Sequence, residues 1–368
     1  MATPTGVTWD CEPHTRAKHE ILKRYLQRWF PILNAYHGRI IYIDGFSGPG
    51  RYTGGELGSP LLALDVASTH RRTLSGDIRF LFTDERADRI EHLRSELTQK
   101  QYPTHFKITA DTVRFHEKLT QILDEVDASG GKLAPTFAFI DPFGFSGIPY
   151  SLMKRFLEKK SCEVLITFMV DSINRWLEHP NDEVVKHIPE TFGTDDCLKI
   201  AKSGGDRIAA LQTLYREQLH RVAEFVRYFE MRDSDHRIIY YLFFASNHPL
   251  GHVKMKEAMF DVGDAGLYTF SDATDPSQQV LFGTDHAATL WPLLRSQFAG
   301  REVLTDVILE FVNDKTAFLA THMKATLKNH LAESVEPRQR IQVRPMKANG
   351  KKWIKGTFPE GVYVTFPT

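Results

Sequence analysis

Long apolar runs are absent from this chain. No stretch approaches the roughly 18 uncharged apolar residues that span a bilayer, and the opening MATPTGVTWDCEPHTRAKHE has no apolar core of the signal-peptide kind. A soluble, cytoplasmic protein with no membrane association is expected. Cysteine is scarce: Cys11, Cys162 and Cys197 stand far apart in 368 residues, without metal-ligand spacing. That argues against a disulfide framework or a zinc site and favours a reducing compartment. Net charge is lacking as well, with 46 Lys and Arg against 46 Asp and Glu. No long-range field draws the whole molecule to nucleic acid or membrane, so any charged surface must be local.

Three common site signatures are also missing. The glycine-rich stretch Asp44-Gly-Phe-Ser-Gly-Pro-Gly50 lacks the Gly-Lys-Ser/Thr ending of a nucleoside-triphosphate loop. Gly45, Gly48 and Gly50 depart from dinucleotide-fingerprint spacing and do not run directly into a helix. The serine in GFSGP misses the nucleophile elbow by one position.

What is present is alternation. Between Thr15 and Tyr36, Ile21, Leu22, Tyr25, Leu26, Trp29, Phe30 and Leu33 recur at helical spacing, with Pro31 expected to kink or break the helix. RIIYID then reads as a strand buried on both faces, and Ser59-Pro60 as the cap and first turn of a helix. Strand-like DIRFLFTD, HFKITAD, PTFAFIDPFG and CEVLITFMV alternate with helical RADRIEHLRSELTQ, TVRFHEKLTQILDEV and PYSLMKRFLEK. Such alternation predicts parallel βαβ units, an α/β fold with a Rossmann-like doubly wound sheet. The expected organisation is an N-terminal helix over 1–37, a core of 38–170 and 236–262, a helical insertion over 171–235, a connector over 263–296 and a small α+β, winged-helix-like domain over 297–368.

In an open parallel sheet, ligands gather beyond the carboxyl ends of the strands. Four predicted strands close there with an acid: Asp44, Asp84, Asp111 and Asp141. Asp111 serves equally well as a helix cap. His14, Lys18 and His19 open the first helix, and Asn247, His248, His252 and Lys254 follow another strand, so Lys18, Asn247, His248 and Lys254 join the candidates for substrate contact. The excursion RYTGGELG delays the helix after the glycine turn, and its Arg51 and Tyr52 are candidates for a mobile lid or a target contact. Between Thr321 and Lys355 nine Lys or Arg face two acids, a basic excess suited to DNA or RNA and, nearly as well, to a protein partner.

The pattern Asp44-Gly-Phe46-Ser-Gly48-Pro-Gly50 resembles the first motif of class I S-adenosylmethionine-dependent methyltransferases, especially those acting on amino groups of nucleic acid bases. Bare backbone lets such a donor approach without Cβ collisions. The resemblance implies S-adenosyl-L-methionine as cofactor, held by Asp44, Gly45, Phe46, Ser47, Gly48 and Gly50. Asp84 or the adjacent Glu85 would accept the ribose hydroxyls and Asp111 the adenine amine. FIDPFGF resembles their Asp-Pro-Pro-aromatic catalytic motif, with Asp141 and Pro142 matching, Phe143 in place of the second proline, Gly144 at the usual aromatic position and Phe145 the next ring. Either Phe143 or Phe145 then stacks on a target, or the site no longer methylates. HTRAKHEILKRYLQRW, YIDGFSGPGRY, GSPLLAL, FIDPFG and FFASNHPLGHVKMKEAM together are similar to the bacterial three-Cys-motif partner proteins. That likeness implies a partner protein bearing three cysteines and similar to radical S-adenosylmethionine enzymes. Two readings stay open: a base amino-methyltransferase, and a methyltransferase-like adaptor without catalysis.

Overall fold

The computed structural model describes residues 4–144, 147–177, 182–202, 204–263, 268–272 and 285–368, with backbone alone at 182–184 and 186. It divides into two compact units, Met1–Val262 with Thr269–Asp275, and Gly263–Tyr268 with Pro276–Thr368. No helix among the described residues is long and apolar enough to cross a membrane.

The first unit is built on one eight-stranded sheet. Its parallel strands are β1 (Arg39–Asp44), β2 (Asp77–Asp84), β3 (Phe106–Thr112), β4 (Thr136–Ile140) and β5 (Cys162–Phe168). β6 (Phe225–Arg232), β7 (Ile238–Ser246) and β8 (Thr269–Ser271) complete it in the order β3-β2-β1-β4-β5-β7-β6-β8, with β7 antiparallel to both neighbours. This is the expected Rossmann-like doubly wound sheet, whose order reverses between β1 and β4. β4 and β5 are buried at every residue, which is why they read as largely apolar runs, interrupted in β5 by Glu163 and Thr167. Edge strand β3 alternates buried and exposed positions.

The helix expected before β1 is α1 (Pro13–Tyr36), and Pro31 lies inside it without ending it. Proline deprives the Gln27 carbonyl of its helical donor. His70 Nε2 supplies a replacement at 3.1 Å, while His70 Nδ1 accepts from the Arg72 N–H at 3.0 Å. The core-facing side of α1 is fixed by Glu163, a buried carboxylate in β5. It accepts from Tyr25 Oη at 2.7 Å, Trp29 Nε1 at 2.9 Å and Ser246 Oγ at 2.7 Å. Desolvation raises its pKa, and those three donors pull against the rise.

The crossover helices are α2 (Ser59–Ser68), α3 (Ala87–Thr98), α4 (Phe115–Ala128) and α5 (Tyr150–Leu157). The helical insertion comprises α6 (Val170–Trp176), α7 (Asp182–Phe192), α8 (Asp196–Lys202) and α9 (Arg207–His220). It ends earlier than expected, because FVRYFEMR is strand β6. Its polar positions Arg227, Glu230 and Arg232 hide a pattern with only Phe229 and Met231 fully buried. α10 (Pro249–Phe260) follows β7.

The second unit runs α11 (His286–Phe298), β9 (Glu302–Leu304), α12 (Thr305–Lys315), α13 (Ala320–Leu331), a 3-10 turn Pro337–Gln339, β10 (Gln342–Val343) and β11 (Tyr363–Thr365). The three strands pair antiparallel as β10-β11-β9. α11 occupies the end of the segment expected to be a connector. Pro292 within it masks a helix whose Leu290, Leu294 and Phe298 enter the unit's core. The rest of that segment lies partly outside the described residues.

Glu163→Ala removes the acceptor for three buried donors and opens a cavity. It should lower unfolding free energy by about 3 kcal/mol, read from a denaturant titration. A loss below about 1 kcal/mol would contradict the role given to this carboxylate.

Candidate ligand site at the strand ends

The chain leaves β1 through a turn that must thread between neighbouring strand ends. Gly45 N–H donates to Phe139 O at 3.0 Å, and Ser47 N–H to Thr83 O at 2.9 Å. A Cβ on Gly45 would lie 2.5 Å from the Phe115 ring, and Gly48 and Gly50 have φ of 60° and 83°. These glycines serve close approach and left-handed backbone.

The excursion after Gly50 is a closed loop. Gly58 N–H donates to Gly50 O at 2.7 Å, Arg51 and Leu57 form an antiparallel bridge, and Tyr52 N–H donates to Glu56 O at 3.0 Å. Arg51 is held by Glu96 at 2.8 Å and by Gly55 O at 2.8 Å. The expected mobile lid is therefore pinned at its base, and the Arg51 guanidinium is spent on its own scaffold. Tyr52 lies against Trp9 with ring centres 5.8 Å apart.

The four acids have separate fates. Asp44 is fully buried: Oδ1 accepts from the Phe46 N–H at 3.3 Å and Oδ2 has no hydrogen-bond partner. Burial raises its pKa to about 7, against the opposing Ser59 hydroxyl and Phe46 N–H. Asp84 accepts from Gly48 N–H at 3.1 Å and Arg86 N–H at 2.9 Å, with the Arg89 guanidinium 3.9 Å away. It thus clamps the glycine turn to the start of α3, while burial raises its pKa. Glu85 is exposed and faces Arg114 at 3.3 Å. Asp111 pairs with Lys118 at 2.9 Å, and α4 begins at Phe115, so Asp111 caps nothing. It also lines neither cavity described below, since its carboxylate points to α4.

Asp141, just past β4, is the most constrained. Lys18 Nζ approaches Oδ1 at 2.7 Å and Oδ2 at 2.6 Å, and Thr167 Oγ1 donates to Oδ1 at 2.6 Å. Lys18 is itself buried, with Nζ 5.2 Å above the Tyr240 ring. The carboxylate that resembles a catalytic acid is therefore already ion-paired, and Lys18 acts on it.

Two cavities flank this group. One, of about 390 Å³, is lined by Lys18, Asp141, Thr167, Ser59, Trp9 and the glycine turn. The other, of about 410 Å³, is lined by Asp84, Glu85, Arg89, Phe115 and Gly144. Phe46, Pro142 and Phe143 line both. Phe143 stands edge-on to Trp9 at 5.3 Å and 75°, with Arg89 5.2 Å from its centre. Phe145 lies outside the described residues.

Trp9, Arg89 and Thr167 are site residues that sequence reasoning missed. Trp9 rides on an N-terminal segment whose Pro4 and Thr5 carbonyls accept from Arg86 and Arg89 and whose Trp9 carbonyl accepts from Thr53. Nothing local marks it. Thr167, the one hydroxyl in CEVLITF beside the strand end, carried a readable signal. Of the two histidines beside Lys18, His14 pairs with Asp272 at 2.8 Å, and burial lowers the His19 pKa to about 4, so it is neutral near pH 7.

Asn247, His248 and Lys254 are not at this site. β7 runs antiparallel and pairs Ser246 with Glu163 at the start of β5, so the residues after it lie at the amino-terminal end of the parallel strands, opposite the site. There Asn247 donates to Leu157 O and accepts from Lys160, His248 caps α10 through Nδ1, and Lys254 pairs with Glu257.

Fold and site together define a Rossmann-like α/β protein with a candidate ligand site at the switch point of its sheet. Solved structures similar to it include a Legionella pneumophila protein of the DUF519 family, 14% identical over 65% of this chain and 86% of that one, TM-score 0.39. Human methyltransferase-like protein 13 in complex with SAH is 9% identical over 75% and 98%, TM-score 0.36. The plantazolicin methyltransferase BpumL in complex with SAH is 12% identical over 64% and 86%, TM-score 0.28. No family model and no curated protein sequence matches.

The buried Asp44 has a measurable cost. With its pKa raised from 3.8 to about 7, the folded state holds a proton that the unfolded chain has lost, so its contribution to stability falls as pH rises across that window and is flat above it. Asp44→Asn should be more stable than wild type at pH 8, with the gap closing as pH approaches 4. Thermal melts at both pH values test this, and a variant less stable at pH 8 would refute it.

Proposed function

We propose that this chain is an S-adenosyl-L-methionine-dependent methyltransferase acting on an exocyclic amino group of a DNA or RNA base. The observation that carries the reading is the juxtaposition of a bare glycine turn and Asp141 on the wall of one cavity, with the carboxylate of Asp44 buried beneath that turn. Asp44, desolvated beneath the turn, would favour a cationic ligand group such as the donor's ammonium above it. The Gly45–Gly50 backbone fits close approach of the donor, and Glu85, at the rim of the second cavity and paired through one oxygen with Arg114, is the exposed acid to accept ribose hydroxyls. When bound, the donor supplies an electrophilic methyl group on a sulfonium. Methylation makes an N–C bond, breaks the donor's S–C bond with its electron pair returning to sulfur, and releases one proton from nitrogen. Asp141 is the group placed to orient the amine and accept that N–H, with Trp9 and Phe143 as rings for the base, worth roughly 1–3 kcal/mol per stacked base.

The second unit supports the nucleic-acid side of this reading. Its helix–strand–helix–helix–strand–strand order is that of a winged helix, and α13 exposes Thr321, Lys324, Lys328 and Asn329 along one face. The motif set motivates a three-Cys-motif, radical-S-adenosylmethionine-like protein as working partner. The three buried, unpaired cysteines suit the cytoplasm. A second reading, a binding adaptor without catalysis, draws on Gly144 at the aromatic position and on the occupation of Asp141 by Lys18 and Thr167.

Calorimetry should detect S-adenosylhomocysteine binding that is about tenfold weaker at pH 6 than at pH 8, following ionisation of a group titrating near 7, and Asp44→Asn should abolish that dependence. Labelled methyl should transfer to nucleic acid and be lost in Asp141→Ala. Binding without transfer to any nucleic acid favours the adaptor, and absence of binding removes both the donor and the reaction. Lys324→Glu with Lys328→Glu should weaken duplex binding about tenfold or more at moderate salt.

A further inference from the structure

Lys18 is buried in the wall of the cavity that holds Asp141, and the ion pair between them leaves both groups with capacity to spare. An ammonium has three N–H donors and a carboxylate about four acceptor positions. Lys18 directs two contacts at Asp141, 2.7 Å to Oδ1 and 2.6 Å to Oδ2, which leaves one N–H. Oδ1 also takes the Thr167 hydroxyl at 2.6 Å, so the lone pair left open is on Oδ2. The pair therefore offers a donor and an acceptor side by side, one short hydrogen bond apart.

Resting on the methyltransferase reading above, we infer that Lys18 selects the target base, by donating its third N–H to the ring nitrogen adjacent to the amine that Asp141 accepts from. A base edge carrying an amine next to an unprotonated ring nitrogen complements this pair. On the Watson–Crick edge that describes adenine, with N1 beside its amine, and cytosine, with N3 beside its amine. Guanine presents a protonated N1 beside its amine and would set donor against donor. Uracil and thymine have no amine to offer.

The packing supports a fixed direction for the donor. Tyr240 lies 5.2 Å from Nζ, and its hydroxyl donates to His14 O at 3.3 Å, anchoring the ring that backs the ammonium. His19, buried beside Lys18 and neutral, adds no competing charge. Thr167 holds Oδ1 from the β5 side, so the carboxylate cannot rotate to follow a mispositioned amine. Lys18 is on this account a specificity-determining residue whose contact is to the base itself.

The test uses the full chain and oligonucleotides in which adenine is replaced by 1-deazaadenine, or cytosine by 3-deazacytosine, each keeping the amine and losing the ring acceptor. Labelled-methyl kcat/KM should fall roughly 10- to 100-fold for wild type on the deaza base, the range for one bidentate base contact. Lys18→Met should lose a comparable factor on the natural base and show no further loss on the deaza base. Lys18→Arg, which keeps a donor, should restore part of the discrimination. Equal use of natural and deaza bases by wild type overturns the inference whether or not the Lys18→Met protein folds. So does a folded Lys18→Met enzyme that still discriminates. Retained S-adenosylhomocysteine binding with no transfer to any base overturns the methyl-transfer reading, and this inference with it.

Discussion

The contact on which the site depends is the buried pair of Lys18 and Asp141. Removing two charges from water is costly, and their attraction offsets that cost only when the geometry is good and the remaining hydrogen-bonding capacity is used. Thr167 and the Tyr240 ring meet that condition from two further elements. The pair joins α1, β4, β5 and β7 at one point, so the helix that precedes the sheet in sequence becomes part of the site. α1 is secured a second time through Glu163, three turns further along. A helix fixed to the sheet by polar contacts at two points cannot slide by a residue without exposing or orphaning a buried charge.

The acids at the strand ends illustrate how one residue type in one topological position takes on different work. Asp84 receives backbone donors and shapes the turn. Asp111 faces solvent and a lysine. Asp141 is paired, and only Asp44 is both buried and incompletely satisfied. Unsatisfied buried carboxylates are expensive, and under the proposed function a cationic ligand group near the glycine turn would offset part of that cost.

Much of this was legible in the chain. Largely apolar runs closed by aspartate mark β1, β2 and β4 together with Asp44, Asp84 and Asp141, because a parallel strand covered by helices needs apolar side chains along most of its length. β6 escaped because alternating charges on a half-buried strand resemble a surface helix, and α11 because Pro292 reads as a break. The sense of β7 has no local signature, so the chain alone does not tell that Asn247, His248 and Lys254 lie at the opposite end of the strands from the site. Trp9 and Arg89 meet across some eighty residues of chain, a distance over which composition and spacing carry no information about contact.

The pinch between Gly50 and Gly58 separates the geometry of the turn from the length of the loop beyond it. A Cβ on Gly58 would stand 3.0 Å from the Gly50 backbone, so the two arms of the neck touch because Gly58 carries no side chain there. The entropy of closing a loop grows slowly with its length, and the neck is already closed. Residues between Arg51 and Leu57 can thus be added, removed or exchanged for a folded insert while the turn that follows β1 keeps its shape. The excursion is a natural graft point, bounded by the two glycines that close its neck.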